Sequence, residues 1–305
     1  MGASQAAFVA VAGFAAALLA RRALAGRTAD LTALATLRAP LNRVAFAARS
    51  RLGWTRGAPR LENEQKYELF DYLEGDDRRS AEATEADLRA RYALELLAAR
   101  STRRAYRENL YVLSTLDRFA APPERGARVT AIDVGSKDFV YAAAIAAFAR
   151  GGDEGRTLDV TGVEIDGHVV YRDLYSRADY ARAYAAQAGS GVHVRIADFL
   201  EFSTAEPAAL ITMFFPFVTR FALLQWGLPA RDYQPAALLA HAASLLAPGG
   251  QLVIASHTHE ERDALAALMA DVSGLQRTAS SAQDSKLVDY WQDVPERWIS
   301  VYVRT

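Results

Sequence analysis

Residues 128–150 read RVTAIDVGSKDFVYAAAIAAFAR, and this stretch decides the fold. Val129–Val134 is apolar except for Thr130 and Asp133 and is rich in β-branched residues. That pattern suits a strand buried on both faces. Gly135-Ser136-Lys137-Asp138 is a turn, and Val140–Ala149 is almost wholly small and apolar, as a helix packed closely on a sheet would be. Strand, glycine turn and helix open a parallel α/β domain. The turn sets backbone N–H groups and a helix N-terminus at the carboxyl ends of the strands, where such folds bind ligands.

Downstream, strands and helices alternate. Leu158–Glu164, Val192–Ile196, Ala209–Phe215, Gln251–Ser256 and Trp298–Val303 read as strands. Val169–Ala188, Pro235–Leu246 and Glu260–Ser273 read as helices, and the segment before Trp298 as a polar, irregular connection. The alternation predicts an α/β class, with a doubly wound, Rossmann-like sheet. Upstream, Pro122-Pro123 and Gly126 mark a boundary. Three parts follow: an apolar N-terminal helix (1–26), a basic and then helical region (27–125), and the α/β domain (126–305). In the middle part Tyr67–Leu73 suggests a short helix. Thr84–Arg100 reads as one helix with Leu88, Tyr92 and Leu96 on one face and Thr84 as its cap, and Ser101–Phe119 as another. Asp30–Trp54 reads as two helical pieces divided by Pro40.

Charge is balanced overall but not locally. Residues 1–61 hold nine Arg, no Lys and one acid, Asp30, a local charge of +8 against a total of −1. A basic head on an acidic body points to a membrane surface or another polyanion. The acidic body argues against nucleic acid. Without cysteine there is no disulfide, no thiolate-ligated metal and no thiol nucleophile. Ala6–Ala20 is uncharged and mostly apolar, followed by Arg21, Arg22 and Arg27. It is short of the ~20 residues usual for a span. Three readings fit it: a single membrane anchor keeping the body cytoplasmic, a buried Ala-rich helix, or a targeting peptide.

Four motifs, in order, give the α/β part a family likeness: Ala131-Ile132-Asp133-Val134-Gly135, Gly162-Val163-Glu164-Ile165-Asp166, Ile196-Ala197-Asp198-Phe199, and Leu245-Leu246-Ala247-Pro248-Gly249-Gly250-Gln251-Leu252-Val253-Ile254. Together they resemble the class I S-adenosylmethionine-dependent methyltransferases over about three-fifths of the chain. The resemblance implies S-adenosylmethionine as cofactor. Glu164 would accept from the ribose hydroxyls, as the acid after the second strand does in dinucleotide folds. Asp198 and Phe199 would meet the adenine. Asp133, Gly135 and Ser136 would shape the first turn. The family carries glycines at alternate positions of that turn, and here only Gly135 survives, followed by Ser136, Lys137, Asp138 and Phe139. Lys137 either pairs with the methionyl carboxylate or fills the pocket.

Phe215, Pro216 and Phe217 follow the fourth strand as an apolar rim, which suits a lipophilic small-molecule acceptor. The polar residue that amino-methylating relatives often carry there is missing. His257 follows the fifth strand and could take a proton from an acceptor hydroxyl. Its bland alternative is a turn opening a helix capped by Thr258. His257, His259 and Glu260 have no fixed metal geometry, so no metal is expected. Two functions result: methyl transfer, or a non-catalytic binding or scaffold protein of the same fold at a membrane.

Overall fold

The computed structural model describes residues 28–123, 128–153, 155–289 and 297–305. The apolar run Ala6–Ala20 lies outside them. Among the described residues no helix is long and apolar enough to cross a membrane.

The seven-stranded sheet is built from β1 (Arg128–Val134), β2 (Thr157–Glu164), β3 (Val192–Ile196), β4 (Ala208–Phe214), β5 (Leu246–Ser256), β6 (Leu275–Ala282) and β7 (Trp298–Arg304). Its order is β3-β2-β1-β4-β5-β7-β6. The first five strands are parallel, and β7 runs antiparallel between β5 and β6. The helices are α1 (Thr28–Leu52), α2 (Gly75–Tyr92), α3 (Glu95–Arg100), α4 (Arg103–Phe119), α5 (Ala142–Arg150), α6 (Arg177–Ala188), α7 (Arg220–Trp226), α8 (Pro235–Leu245) and α9 (His259–Ala270).

Strand side chains alternate between two faces, and the core divides accordingly. Ala131, Val160, Leu210 and Val253 meet Leu110, Leu113 and Leu116 of α4 and Ile145 and Phe148 of α5 in one cluster. Ile132, Val163, Ile211 and Leu252 meet Leu239 of α8 and Leu265 of α9 in the other. The helices on both faces make a doubly wound, three-layer α/β architecture.

Several local expectations are corrected. Pro40 does not divide α1; the helix runs through it. The segment expected as one helix over Thr84–Arg100 begins earlier, at Gly75. It stops at Ala93, whose left-handed backbone (φ 51°) makes the C-cap. Thr84 therefore lies inside α2, its hydroxyl donating to the Ser80 carbonyl. Leu96 turns to solvent while Leu94 and Ala98 are buried. Tyr67–Tyr72 is a turn, not a helix. Helix α6 begins only at Arg177, because Ser176 and Asp179 form a reciprocal capping box there. Tyr171, Leu174 and Tyr175 thus sit on a turn closed by the Val170–Ser176 bridge. The polar stretch Leu275–Ala282 is the edge strand β6. Neither of its faces is deeply buried, so its sequence lacks an apolar period.

Pro40 removes one helical hydrogen bond from α1 and crowds the preceding turn, at a cost of about 3 kcal/mol in a helix interior. Pro40→Ala should therefore slow amide hydrogen exchange over residues 41–52 by roughly tenfold or more. Unchanged exchange would show that the proline costs the helix nothing.

Candidate functional site

The five parallel strands finish along one edge, and their ends carry the candidate residues in sheet order. Asp198 follows β3, Glu164 ends β2, the Gly135 turn follows β1, Phe215 follows β4 and His257 follows β5. The pairings Glu164–Ile196, Val134–Val163, Asp133–Thr212 and Phe214–Ala255 fix this row. At about 4.8 Å per strand, Asp198 and His257 stand roughly 20 Å apart.

The first turn keeps an unusual backbone. Gly135, Lys137 and Phe139 all have positive φ (77°, 56° and 55°). These are the alternate positions at which the resemblance leads one to expect glycine. Gly135 is exposed, and a Cβ there would meet nothing within 4 Å, so space opens in front of it. Lys137 is exposed and does not fill a buried hollow. Phe139 is fully buried. It fits because β2 has Gly162 opposite, where a Cβ would stand 3.0 Å from both the Phe139 ring and the Ser136 Cβ. Ser136 is likewise buried, its N–H donating to the Val163 carbonyl and its hydroxyl without a partner among the described residues.

Glu164 is nearly inaccessible, with 4% of its surface exposed. Its Oε2 accepts the Lys137 N–H at 2.8 Å. Its Oε1 accepts the Asp166 N–H at 2.8 Å and an Arg177 guanidinium N–H at 3.3 Å. A carboxylate offers about four acceptor positions, so these partners leave one on Oε2. Asp198 is half-buried; one of its oxygens accepts the Leu200 N–H at 3.0 Å. Phe199 is buried, stacked on Phe202 and edge-on to His241.

Asp133 lies fully buried under the turn. Thr212 donates to it at 2.6 Å and Tyr141 at 3.0 Å. Burial pushes its carboxyl up to about 7, and nearby Glu164 adds to this, although the two hydroxyl donors pull the other way.

Beyond β4, Phe215 also has positive φ (63°), donates its N–H to the Ala255 carbonyl, and lies flat on the His257 ring at 3.7 Å. The His257 N–H donates to Glu261, and Thr258 caps α9. Phe217 packs toward Trp226 and into the small cluster of Phe46, Leu223, Leu224 and Leu228.

That cluster brings in residues to which the sequence assigned no role at the site. Asn42, Phe46 and Arg49 share one face of α1. Asn42 donates to the Leu224 and Leu228 carbonyls. Arg49 grips Asp166 through Nε and Nη2 at 2.5 and 2.8 Å and also donates to the Gly227 carbonyl. Arg177 links Glu164 to Asp166 and lies over the Trp226 ring. The helical spacing of Asn42, Phe46 and Arg49 was visible in the sequence. It was hidden by the general excess of arginine, which reads as a solvated basic arm.

Five parallel strands in doubly wound order, with an antiparallel strand inserted beside the fifth, complete the sheet expected from the resemblance. The fold is a doubly wound, Rossmann-like α/β fold. No family model and no curated protein matches the chain. Among solved structures it is similar to TrmN from Thermus thermophilus, at 16% identity over 67% of this chain and 53% of that one, with a TM-score of 0.44. This chain thus spans about half the length of that protein. It is also similar to the N-methyltransferase NodS from Bradyrhizobium japonicum WM9, solved in complex with S-adenosyl-L-homocysteine (14% identity, 72% and 98% coverage, TM-score 0.39). A third is geranyl diphosphate methyltransferase, solved with GPP and sinefungin (13% identity, 65% and 76% coverage, TM-score 0.42).

Two outcomes follow from the first turn. A carboxyl raised from its ordinary value near 3.8 to about 7 stabilises the folded chain fully only below the lower value, and that contribution is lost as pH rises through about 7. Urea titrations at pH 5 and pH 8 should show the native chain losing stability relative to Asp133→Asn across that interval. Parallel pH profiles for the two proteins would contradict it. Lys137→Gly should raise stability by about 1 kcal/mol, since a left-handed backbone strains a side chain and not glycine. A lower melting temperature would show that the Lys137 side chain contributes more than its backbone costs.

Proposed function

We propose that the chain binds S-adenosylmethionine along the carboxyl edge of β3, β2 and β1 and transfers its methyl group to a lipophilic small molecule held at β4 and β5. Residues 126–305 carry the chemistry, and the basic, helical residues 27–125 cover it. The observation behind this reading is the order of the row: an adenine partner, a ribose partner, an open glycine turn, an aromatic rim and an imidazole, on successive strand ends.

The residues fit the cofactor with one adjustment. Asp198 has acceptor positions left for the adenine exocyclic amine. The space in front of Gly135 admits a ligand close to the backbone. Glu164 has room for one ribose hydroxyl, not two, unless Arg177 gives way. Lys137, exposed on the turn, would pair with the methionyl carboxylate. Bound there, S-adenosylmethionine supplies a methyl group made electrophilic by its sulfonium. The chain's own work is then positioning and exclusion of water. Phe215, Pro216 and Phe217 hold the acceptor by its apolar surface, and His257 receives the proton its hydroxyl loses. The product side needs no metal.

The three partners of Glu164, together with Arg49 above Asp166, favour a second reading, in which the edge is closed and the protein binds or scaffolds without catalysis.

Calorimetry on the full chain with S-adenosylmethionine separates the two. We expect saturable one-to-one heat, and Asp198→Asn should weaken binding by roughly tenfold, because its amide keeps the Leu200 bond yet turns a donor toward the adenine amine. Glu164→Gln is a poorer probe, since in either orientation its amide meets a donor. Absence of heat with a folded chain would leave the non-catalytic reading.

A further inference from the structure

The inner face of α1 is committed to the rest of the molecule; its outer face is not. At about 100° per residue, Leu41, Val44, Ala48 and Leu52 share an arc of roughly 80° opposite Asn42, Phe46 and Arg49. All four are exposed, the leucines and the valine by 69–73%. Nine large apolar side chains stand exposed among the described residues, and four of them lie on α1 or just past its end: Leu41, Val44, Leu52 and Trp54. Trp54 is fixed to the Leu174 carbonyl through its indole N–H at 2.9 Å. A soluble surface has no use for that concentration of apolar area, which marks an interaction site.

The charges beside the stripe say what covers it. Arg38, Arg43 and Arg51 are exposed; Arg51 and Arg38 flank the stripe on its two sides, and Arg43 lies farther round the helix beyond Arg51. Asp30 is the sole acid in residues 1–61. An apolar stripe bordered by arginines, with the Trp54 indole just past its end, is the pattern of a helix lying in a bilayer interface. A second copy of this chain would bring arginine against arginine along the stripe. The chain that precedes α1 carries the uncharged Ala6–Ala20 and then Arg21, Arg22 and Arg27, which suits the same surroundings.

We propose that the outer face of α1 docks the protein on an anionic phospholipid surface. The docking is peripheral and does not require Ala6–Ala20 to span the bilayer. Because Arg49 on the opposite face holds Asp166, two residues past β2, docking fixes the carboxyl edge of the sheet behind α1, about 10 Å (one helix width) from the lipid. The proposal stands apart from methyl transfer.

The test is co-sedimentation of the full chain with vesicles of phosphatidylcholine alone and of phosphatidylcholine mixed with phosphatidylglycerol. We expect binding to the mixed vesicles that weakens with salt and is much reduced on the neutral ones. The double variants Leu41→Asp/Val44→Asp and Arg43→Glu/Arg51→Glu should each lose roughly tenfold in partitioning. Their melting temperatures and their heats with S-adenosylmethionine should stay those of the parent, so failure here is distinct from failure to bind cofactor. Binding that survives both double variants would assign it to residues 1–27 and overturn the proposal. So would absence of binding to either vesicle, or a stripe-dependent dimer in ultracentrifugation.

Discussion

One carboxylate ties the site together. Glu164 ends β2 and takes the Lys137 N–H from the turn after β1, the Asp166 N–H from its own loop and the Arg177 guanidinium from the start of α6. Arg177 and Asp166 then pass the connection to Arg49, and so to α1, more than a hundred residues away in sequence. A charge this deeply buried persists only when hydrogen-bond donors and a counter-ion meet it, and here three donors do, one of them a guanidinium. The loops after two strands, a helix start and the N-terminal helix are therefore held in one arrangement. A ligand that took two hydroxyl contacts at Glu164 would have to displace Arg177, and so disturb the contacts that hold Asp166 and α1.

The first turn shows how a motif can be lost in letters and retained in shape. Lys137 and Phe139 hold the left-handed backbone at positions where glycine would do so without strain. Phe139 needs space that a turn glycine would not need. That space comes from Gly162 on the adjoining strand, whose missing Cβ leaves room for the ring. Phe139 and Gly162 are thus one packing solution shared between two strands. The buried Asp133 sits beneath it with two hydroxyl donors, and those bonds lock β1 to β4 and to the start of α5.

The sheet was legible because its signal is local: β-branched runs for strands buried on both faces, and a glycine turn after the first. The helical face of α4 was legible for the same reason. What escaped depends on contacts between distant segments. Helix α6 starts late because a capping box at Ser176 outweighs a run of tyrosines that could have been helical. Strand β6 has no apolar period because it is an edge. Arg49 looked like any other arginine of a basic arm, and only its partner Asp166 sets it apart. Thr212 gave no sign either, since its meaning lies in the register that places it beside Asp133. The positions of Glu164, Asp198 and His257 at strand ends were readable from the alternation itself. Their partners were not.

The two faces of α1 put a constraint on how the molecule can work. The inner face uses two donors, Asn42 and Arg49, on the carbonyls and carboxylate of the site's neighbours, with Phe46 between them in an apolar cluster. The outer face offers aliphatic side chains between arginines. A helix free to roll could not present both, because rotation that buries Leu41 and Val44 against the protein would expose Phe46 and strip Asp166 of its bidentate partner. The orientation is therefore set by the inner contacts, and whatever meets the outer stripe meets it with the strand edge already fixed in direction.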